Sequence, residues 1–213
     1  MPAEVRAADF QLMTIDFANL PPRSAYAWMS SLIMPRPVAW VSTLSPEGAT
    51  NLAPFSFFSG VTANPPTLMF VPVNDREGRP KHTLRNIELV PEFVVNVVPQ
   101  HLAAVMNACS APLPYGESEF GAFGVGAAPS LRVRPPRVQD APAAFECCLH
   151  QIVRVGEGPM AGNIVIGRIL AVHVLDSVLG EEGLPDPAKL DLIGRLGGDG
   201  YTTTRDRFDL ERP

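Results

Sequence analysis

Two long segments of the chain alternate apolar and polar residues with a period of two. One face of residues 145–155 carries Phe145, Cys147, Leu149, Gln151, Val153 and Val155, and one face of residues 163–175 carries Ile164, Ile166, Arg168, Leu170, Val172 and Val174. This period is typical of half-buried antiparallel strands. We therefore predict a long hairpin that turns within residues 156–162.

Shorter apolar segments predict further strands. Residues 37–44 are apolar on both faces, as in a buried strand, and residues 50–61, 67–73 and 92–98 continue the pattern. Between the first two segments, Ser45-Pro46-Glu47-Gly48 fits a type I turn, with Pro at the second position and Gly at the fourth. We expect residues 37–44 and 50–61 to form a second hairpin.

Four stretches predict short helices: 26–34, ended by Pro35, then 84–90 with Thr83 as the expected N-cap, 102–108 and 118–123. The 23 prolines are spread along the chain and indicate many turns between short elements. The pattern predicts one mainly β, antiparallel domain over residues 1–213, a barrel decorated by peripheral helices. Its core should span about residues 30–180, and residues 185–213 should form a C-terminal tail.

Charge and composition narrow the functional class. The net charge of −5 disfavours nucleic-acid binding, which requires a basic surface. Three cysteines without a framework spacing favour a reducing compartment. Residues 1–19 contain no apolar core of a signal peptide, and no apolar run is long enough for a membrane span. We expect a cytoplasmic protein without membrane partners.

The chain lacks the usual motifs of a protein-borne catalytic centre. There is no HExxH, paired CxxC, GxxxxGK or GxSxG motif, and no complete dinucleotide fingerprint. The adjacent Cys147 and Cys148 should point to opposite faces of a strand, so they cannot share a metal, and we predict no metal site. Because no acid–base pair stands out either, we expect no catalytic side chain and a cofactor that supplies the chemistry.

The first candidate site is the segment from Thr50 to Ser59. Pro54 lies within a predicted strand and cannot donate to a ladder, so it marks a bulge or an edge. The surrounding residues combine short polar side chains (Asn51, Ser56 and Ser59) with three phenylalanines. This mixture suits a flat heteroaromatic ring, although composition alone favours the alternative, an ordinary barrel strand with a proline at its edge.

The second candidate site is the segment from Pro80 to Asn86. It places a threonine at the start of a helix between Lys81 and Arg85. Backbone N–H groups, a hydroxyl and positive charge at one point favour an anion such as phosphate. A solvated, capped helix without a ligand remains the alternative.

Together these segments resemble the flavin reductase-like family with the FMN-binding split barrel. The resemblance covers most of the chain and is weakest between residues 110 and 160. It is carried by Arg36-Pro37-Val38-Ala39-Trp40-Val41-Ser42-Thr43, Asn51-Leu52-Ala53-Pro54-Phe55-Ser56-Phe57-Phe58, Asn64-Pro65-Pro66, Lys81-His82-Thr83-Leu84-Arg85-Asn86-Ile87, Glu92-Phe93-Val94-Val95-Asn96 and Arg195-Leu196-Gly197-Gly198.

The resemblance implies a fold, a cofactor and a set of binding residues. The fold is the antiparallel, Greek-key-like split barrel, and the cofactor is FMN. The isoalloxazine ring would face Asn51, Ala53, Pro54 and Ser56 within the block that also holds Phe57, with the backbone of Leu52 to Pro54 near its pyrimidine edge. Lys81, Thr83 and Asn86 would bind the phosphate, and Ser42 and Thr43 would reach the ribityl chain or the phosphate.

The implied activity is hydride transfer from NAD(P)H to flavin, in a homodimer whose reduced flavin supplies a monooxygenase or another acceptor. A flavodoxin-like FMN electron carrier that does not bind nicotinamide is the alternative. A barrel that has lost its flavin is disfavoured because both flavin blocks are intact. The residues do not discriminate NADH from NADPH, nor a tight prosthetic group from a released flavin.

Overall fold

The computed structural model describes residues 12–211. The expectation that residues 1–19 contain no signal peptide therefore lies in large part outside the described residues. The strands are β1 (Arg36–Pro37), β2 (Ala39–Leu44), β3 (Thr50–Phe55), β4 (Phe58–Ala63), β5 (Pro66–Phe70), β6 (Glu92–Val97), β7 (Ala127–Ala128), β8 (Arg137–Val138), β9 (Ala143–Val155), β10 (Gly162–Val174), β11 (Ile193–Arg195) and β12 (Tyr201–Thr203). The α-helices are α1 (Pro22–Leu32), α2 (His82–Leu89), α3 (Ala103–Ala108), α4 (Glu119–Ala122) and α5 (Pro187–Leu190).

Seven strands form one antiparallel sheet in the order β3-β2-β6-β9-β10-β5-β4. Although β3 and β4 occupy opposite edges of this sheet, only Ser56 and Phe57 separate them along the chain. The sheet must therefore curl until its two edges approach each other at this link. Because the pairings of the described residues do not join β3 to β4, the barrel stays open along this line, which confirms the predicted split barrel.

The predicted hairpins are confirmed, with one change. Strands β9 and β10 pair as expected, from Ala143 opposite Val174 to Val155 opposite Gly162. Strand β2 pairs with β3 through a turn closed by Gly48 N donating to Ser45 O at 3.0 Å. The expectation of one strand over residues 50–61 is wrong. The chain leaves the β2 ladder after Phe55 and re-enters the sheet at the other edge, where β4 pairs with β5.

Two hydrophobic layers lie on opposite faces of β2. Ala39 and Val41 face the barrel interior with Phe70 and Phe93, and Trp40 faces an outer layer built with residues of α3 and α4. Helices of the same chain already cover that face.

The two faces of β10 are assigned by its contacts. Val165 is buried in the barrel interior, and a Cβ added at Gly167 would lie 2.3 Å from Phe93 Cζ. The alternating face that begins at Ile164 and Ile166 is thus the outer one, and it is half-buried to exposed. The apolar residues of this outer face remain without full cover in the subunit.

Candidate functional site

A cavity of about 340 Å³ lies along the free edge of β3, where the barrel is open. Three other parts of the chain complete its wall: the loop that leads into α2, the segment that follows α3, and the first residue of α4. The lining residues are Asn51, Ala53, Pro54, Asp75, Arg79, Pro80, Lys81, His82, Thr83, Cys109, Ser110, Ala111, Pro112, Leu113 and Glu119. Both candidate segments of the sequence therefore meet at one cavity.

Pro54 forms part of the β3 wall without interrupting the ladder. The pairing of β2 with β3 runs without a register shift and places Pro54 opposite Trp40, so the proline marks an edge and not a bulge. Leu52 N–H points away from β2 and donates to Glu119 Oε2 at 2.7 Å. Since residues two apart on a strand share an orientation, the N–H that Pro54 lacks would also point away from the sheet.

Thr83 lies at the start of α2 but does not cap it, which corrects the sequence expectation. The helix begins at His82, Lys81 is the N-cap residue, and within the described part of the chain no side chain accepts a bond at this cap. Thr83 is instead buried against the sheet, and its Oγ1 accepts a hydrogen bond from Asn51 Nδ2 at 3.1 Å. The second helical position faces β3, so packing determines the partner of this hydroxyl.

The loop before α2 brings two cations to the cavity. Arg79 Nε forms an ion pair with Asp75 Oδ2 at 2.9 Å, and its Nη2 lies 3.1 Å from Glu77 Oε2. Lys81 has no carboxylate partner within 4.0 Å among residues 12–211, and its Nζ lies 5.8 Å from the centroid of the Phe55 ring. Desolvation lowers the pKa of Lys81, while Asp75 opposes this shift. An anion here would have a cation and the first N–H groups of α2 as partners.

A buried polar chain lies behind this end of the cavity. Asn86 Nδ2 donates to Thr43 Oγ1 at 3.0 Å, and Tyr115 Oη donates to Asn86 Oδ1 at 2.9 Å. The Tyr115 ring contacts His82 edge-on and lies 3.8 Å below the Arg85 guanidinium carbon. Thr43 and Asn86 therefore support the wall of the cavity and do not line it.

Four other candidate residues also lie away from the cavity. Ser42 donates to Pro136 O on the outer face of β2, and the Leu52 side chain packs in the outer layer. Ser56 accepts from Arg36 Nε at 3.5 Å, and Phe57 contacts Tyr26 of α1. Of the eleven candidates, the structure brings Asn51, Ala53, Pro54, Lys81 and Thr83 to the cavity.

No motif in the sequence pointed to several other lining residues. Glu119 is only 5 % exposed, and burial raises the pKa of its carboxyl, against the opposing effect of the bond from Leu52 N–H. Cys109 is buried beside it, and burial raises the pKa of this thiol to about 12. The only signal at Glu119 was its place at the start of a short predicted helix.

The cavity is suited to a flat ligand with an anionic end. One wall is formed by small or apolar groups (Ala53, Pro54 and Leu113), and the other end holds Lys81 and the start of α2. No group of three His, Cys, Asp or Glu side chains that could hold a metal occurs within residues 12–211. In the same range, no helix is long and apolar enough to cross a membrane.

The comparison with known proteins agrees with this fold. The flavin reductase like domain family matches residues 29–189. Nitrilotriacetate monooxygenase component B from Bacillus cereus is 31% identical with a TM-score of 0.89, covering 94% of this chain and 100% of that one. The 2-nitrobenzoate 2-nitroreductase NbaA of Pseudomonas fluorescens is 32% identical with a TM-score of 0.82, covering 94% and 96%. A flavin reductase with a split barrel domain from Shewanella frigidimarina is 25% identical with a TM-score of 0.79, covering 92% and 95%.

The family match covers more than half of the chain, and the similar structures extend over nearly all of it. The chain therefore belongs to the flavin reductase like domain family. Its class is that of the flavin-related oxidoreductases with a split-barrel fold.

Proposed function

We propose that this protein binds FMN in the cavity along β3 and transfers hydride from NAD(P)H to flavin. The observation that carries the proposal is the convergence at one cavity of Asn51, Ala53 and Pro54 with Lys81 and Thr83. These residues come from two segments 30 positions apart in the chain, and each segment resembles a flavin-binding block of the family. The cavity volume of about 340 Å³ is within the range of small-molecule sites.

The residues of the cavity fit the two ends of FMN. Lys81, the Thr83 hydroxyl and the first N–H groups of α2 would hold the phosphate, because they combine positive charge with unpaired donors. Asn51, Ala53 and Pro54 would contact the flavin ring along the edge strand. The cations are confined to the loop before α2 and its first turn, which favours a ligand with one phosphate over the diphosphate of FAD.

When bound, FMN supplies the hydride-accepting chemistry of this site. The residues of the cavity would position the flavin and leave one ring face accessible to a reduced nicotinamide. Positioning alone contributes strongly when two reactants meet in a fixed orientation. No side chain in the cavity is required as a nucleophile, in agreement with the absence of such a motif in the sequence.

Two of the similar proteins support two different acceptors for the electrons of the reduced flavin. The similarity to nitrilotriacetate monooxygenase component B supports delivery of reduced flavin to a monooxygenase partner. The similarity to a 2-nitrobenzoate nitroreductase supports direct reduction of a small aromatic acceptor at the same flavin. Both activities use the same proposed cavity and differ only in the molecule that accepts electrons from the reduced flavin.

We also propose that the protein acts as a homodimer. Helix α1 and the turn after it expose Leu32 (70 %), Ile33 (53 %) and Met34 (54 %), and the outer face of β10 exposes Val172 (48 %). Exposed apolar residues such as the run 32–34 are typical of surfaces that bury against another subunit. A two-fold mate of this chain is the simplest partner.

The test is an anaerobic titration of the purified, FMN-loaded protein with NADH and then NADPH, followed by the visible flavin absorbance. Bleaching at stoichiometric nicotinamide is the expected result. A yellow protein that bleaches with dithionite but with neither nicotinamide supports the electron-carrier alternative. Protein that does not retain or bind FMN under any of these conditions overturns the proposed function.

A further inference from the structure

Glu119 is a buried acid at the cavity wall that the proposed hydride transfer does not use. Its carboxylate lies beside β3, where Oε2 accepts the hydrogen bond from Leu52 N–H, one residue before Ala53 and two before Pro54. We infer that Glu119 is a positioning residue that takes up a proton when the flavin ring occupies the cavity, so that FMN binding is coupled to protonation of this carboxyl. This inference rests on the proposed FMN site.

The geometry favours a neutral Glu119 in the complex. Glu119 is already only 5 % exposed, and a ring lying on Ala53 and Pro54 would reduce its remaining contact with solvent. No cation forms an ion pair with Glu119 among residues 12–211, so hydrogen bonds from N–H groups such as that of Leu52 are left to offset the lost hydration of a carboxylate. Burying an unpaired charge is more costly than protonating it.

A protonated Glu119 keeps its structural role. One oxygen continues to accept from Leu52 N–H, and the other carries a proton that can be donated to a ligand on β3. The pKa of Glu119 is already raised by desolvation in the absence of ligand. The negative charge that reduction adds to a flavin would meet a neutral group and not a carboxylate.

The other titratable groups of the cavity behave differently. Asp75 is held ionised by Arg79 and by backbone N–H groups, which lower its pKa, and the pKa of Cys109 of about 12 keeps that thiol neutral. Lys81 stands at the proposed phosphate end. His82 also stands there, where burial and Arg85 lower its pKa, and a phosphate would favour its protonation. His82 is therefore the competing proton acceptor that the experiment must separate.

The experiment measures FMN affinity by fluorescence quenching from pH 6.5 to 8.5 for the wild type, Glu119→Gln, His82→Gln and Glu117→Gln. Glu117 is the matched control, because it lies two residues before Glu119 but is exposed. We expect the wild-type affinity to fall by up to about tenfold per pH unit, the limit for one linked proton. The fall should persist in Glu117→Gln and His82→Gln and disappear in Glu119→Gln, whose amide mimics the neutral acid.

A second readout uses the wild type alone. Infrared difference spectra of FMN binding at pH 8 should show the carbonyl band of a protonated carboxylic acid, so the inference stays testable if Glu119→Gln does not fold. Absence of this band, or a pH dependence that disappears in His82→Gln and persists in Glu119→Gln, overturns the inference alone. Failure of the wild type to bind FMN overturns the proposed function and this inference with it.

Discussion

Asn51 Nδ2 donates to Thr83 Oγ1 at 3.1 Å, and this bond joins the edge strand β3 to the first turn of α2. Both side chains are buried, and both residues line the cavity. The proposed ring-binding strand and the proposed phosphate-binding turn therefore have a fixed relative position. A substitution of either residue should therefore alter the geometry at both ends of the cavity.

Thr83→Val should weaken FMN binding while the protein still folds. The valine keeps the shape of the side chain but removes a hydroxyl proposed to contact the phosphate, a loss of about 1.5–3 kcal/mol for a bond to a charged group. It also leaves the buried Asn51 amide without its partner, which should lower the free energy of unfolding by about 1–3 kcal/mol. FMN titration and urea unfolding measure the two effects.

Thr67→Val is the matched control for this substitution. Thr67 is also buried, but its Oγ1 has no hydrogen-bond partner among residues 12–211 and lies outside the cavity. We expect unchanged FMN affinity and an unchanged or slightly higher free energy of unfolding. Equal FMN affinities for the two valine variants would show that the Thr83 hydroxyl does not contact the cofactor.

The flavin released from the purified protein should be FMN. The cations that line the cavity lie in the loop before α2 and in its first turn, and this arrangement can bind one phosphate group. To identify the flavin, the protein is denatured and the released flavin is compared by chromatography with FMN, FAD and riboflavin standards. An FAD peak would contradict the phosphate assignment, because a second phosphate would require further donors.

Light scattering at micromolar concentration should give a mass near twice 23.0 kDa. Leu32→Arg should shift the protein toward the monomer, because it places a charge in the exposed apolar turn at the end of α1. Leu184→Arg is the control, since Leu184 is equally exposed (69 % against 70 %) in a loop far along the chain. A wild-type monomer that retains FMN would refute the dimer proposal.

The stability of the protein should fall in acid through Glu146. This fully buried carboxylate accepts hydrogen bonds from Leu131 N at 2.7 Å and Arg132 N at 2.5 Å and contacts His173 Nε2. Burial alone would raise the pKa of Glu146, but these bonds outweigh it and hold the pKa below the ordinary value of 4.5. The stabilisation is present above pH 4.5 and is lost as the pH falls through the lowered folded-state value.

Glu146→Gln should therefore be less stable than the wild type at pH 7, by about 1–3 kcal/mol for an impaired buried acceptor. The difference should shrink as the pH falls below 4.5, because the unfolded wild type binds a proton at Glu146 before the folded protein does. Urea unfolding at several pH values measures it, with the exposed Glu181→Gln as control. A difference that stays constant with pH would mean that folding does not shift the pKa of Glu146.

The alternation of residues 145–155 and 163–175 by itself determined the long hairpin, because side chains on a strand alternate strictly between two faces. The turn at Ser45–Gly48 was likewise local, since proline and glycine set its backbone angles. The position of Pro54 within an apolar strand already required an edge or a bulge. The two blocks that resemble flavin-binding segments could also be selected from the sequence.

Only the tertiary structure decided how these parts meet. The break after Phe55 could not be seen in the continuous apolar run of residues 50–61, because it depends on which neighbouring strand offers hydrogen bonds. The partner of Thr83 was decided by packing against Asn51, and that of Leu52 N–H by Glu119, from a helix 67 residues further along the chain. Contacts of such separation leave no periodic signal in a single sequence, because they arise only when the sheet curls.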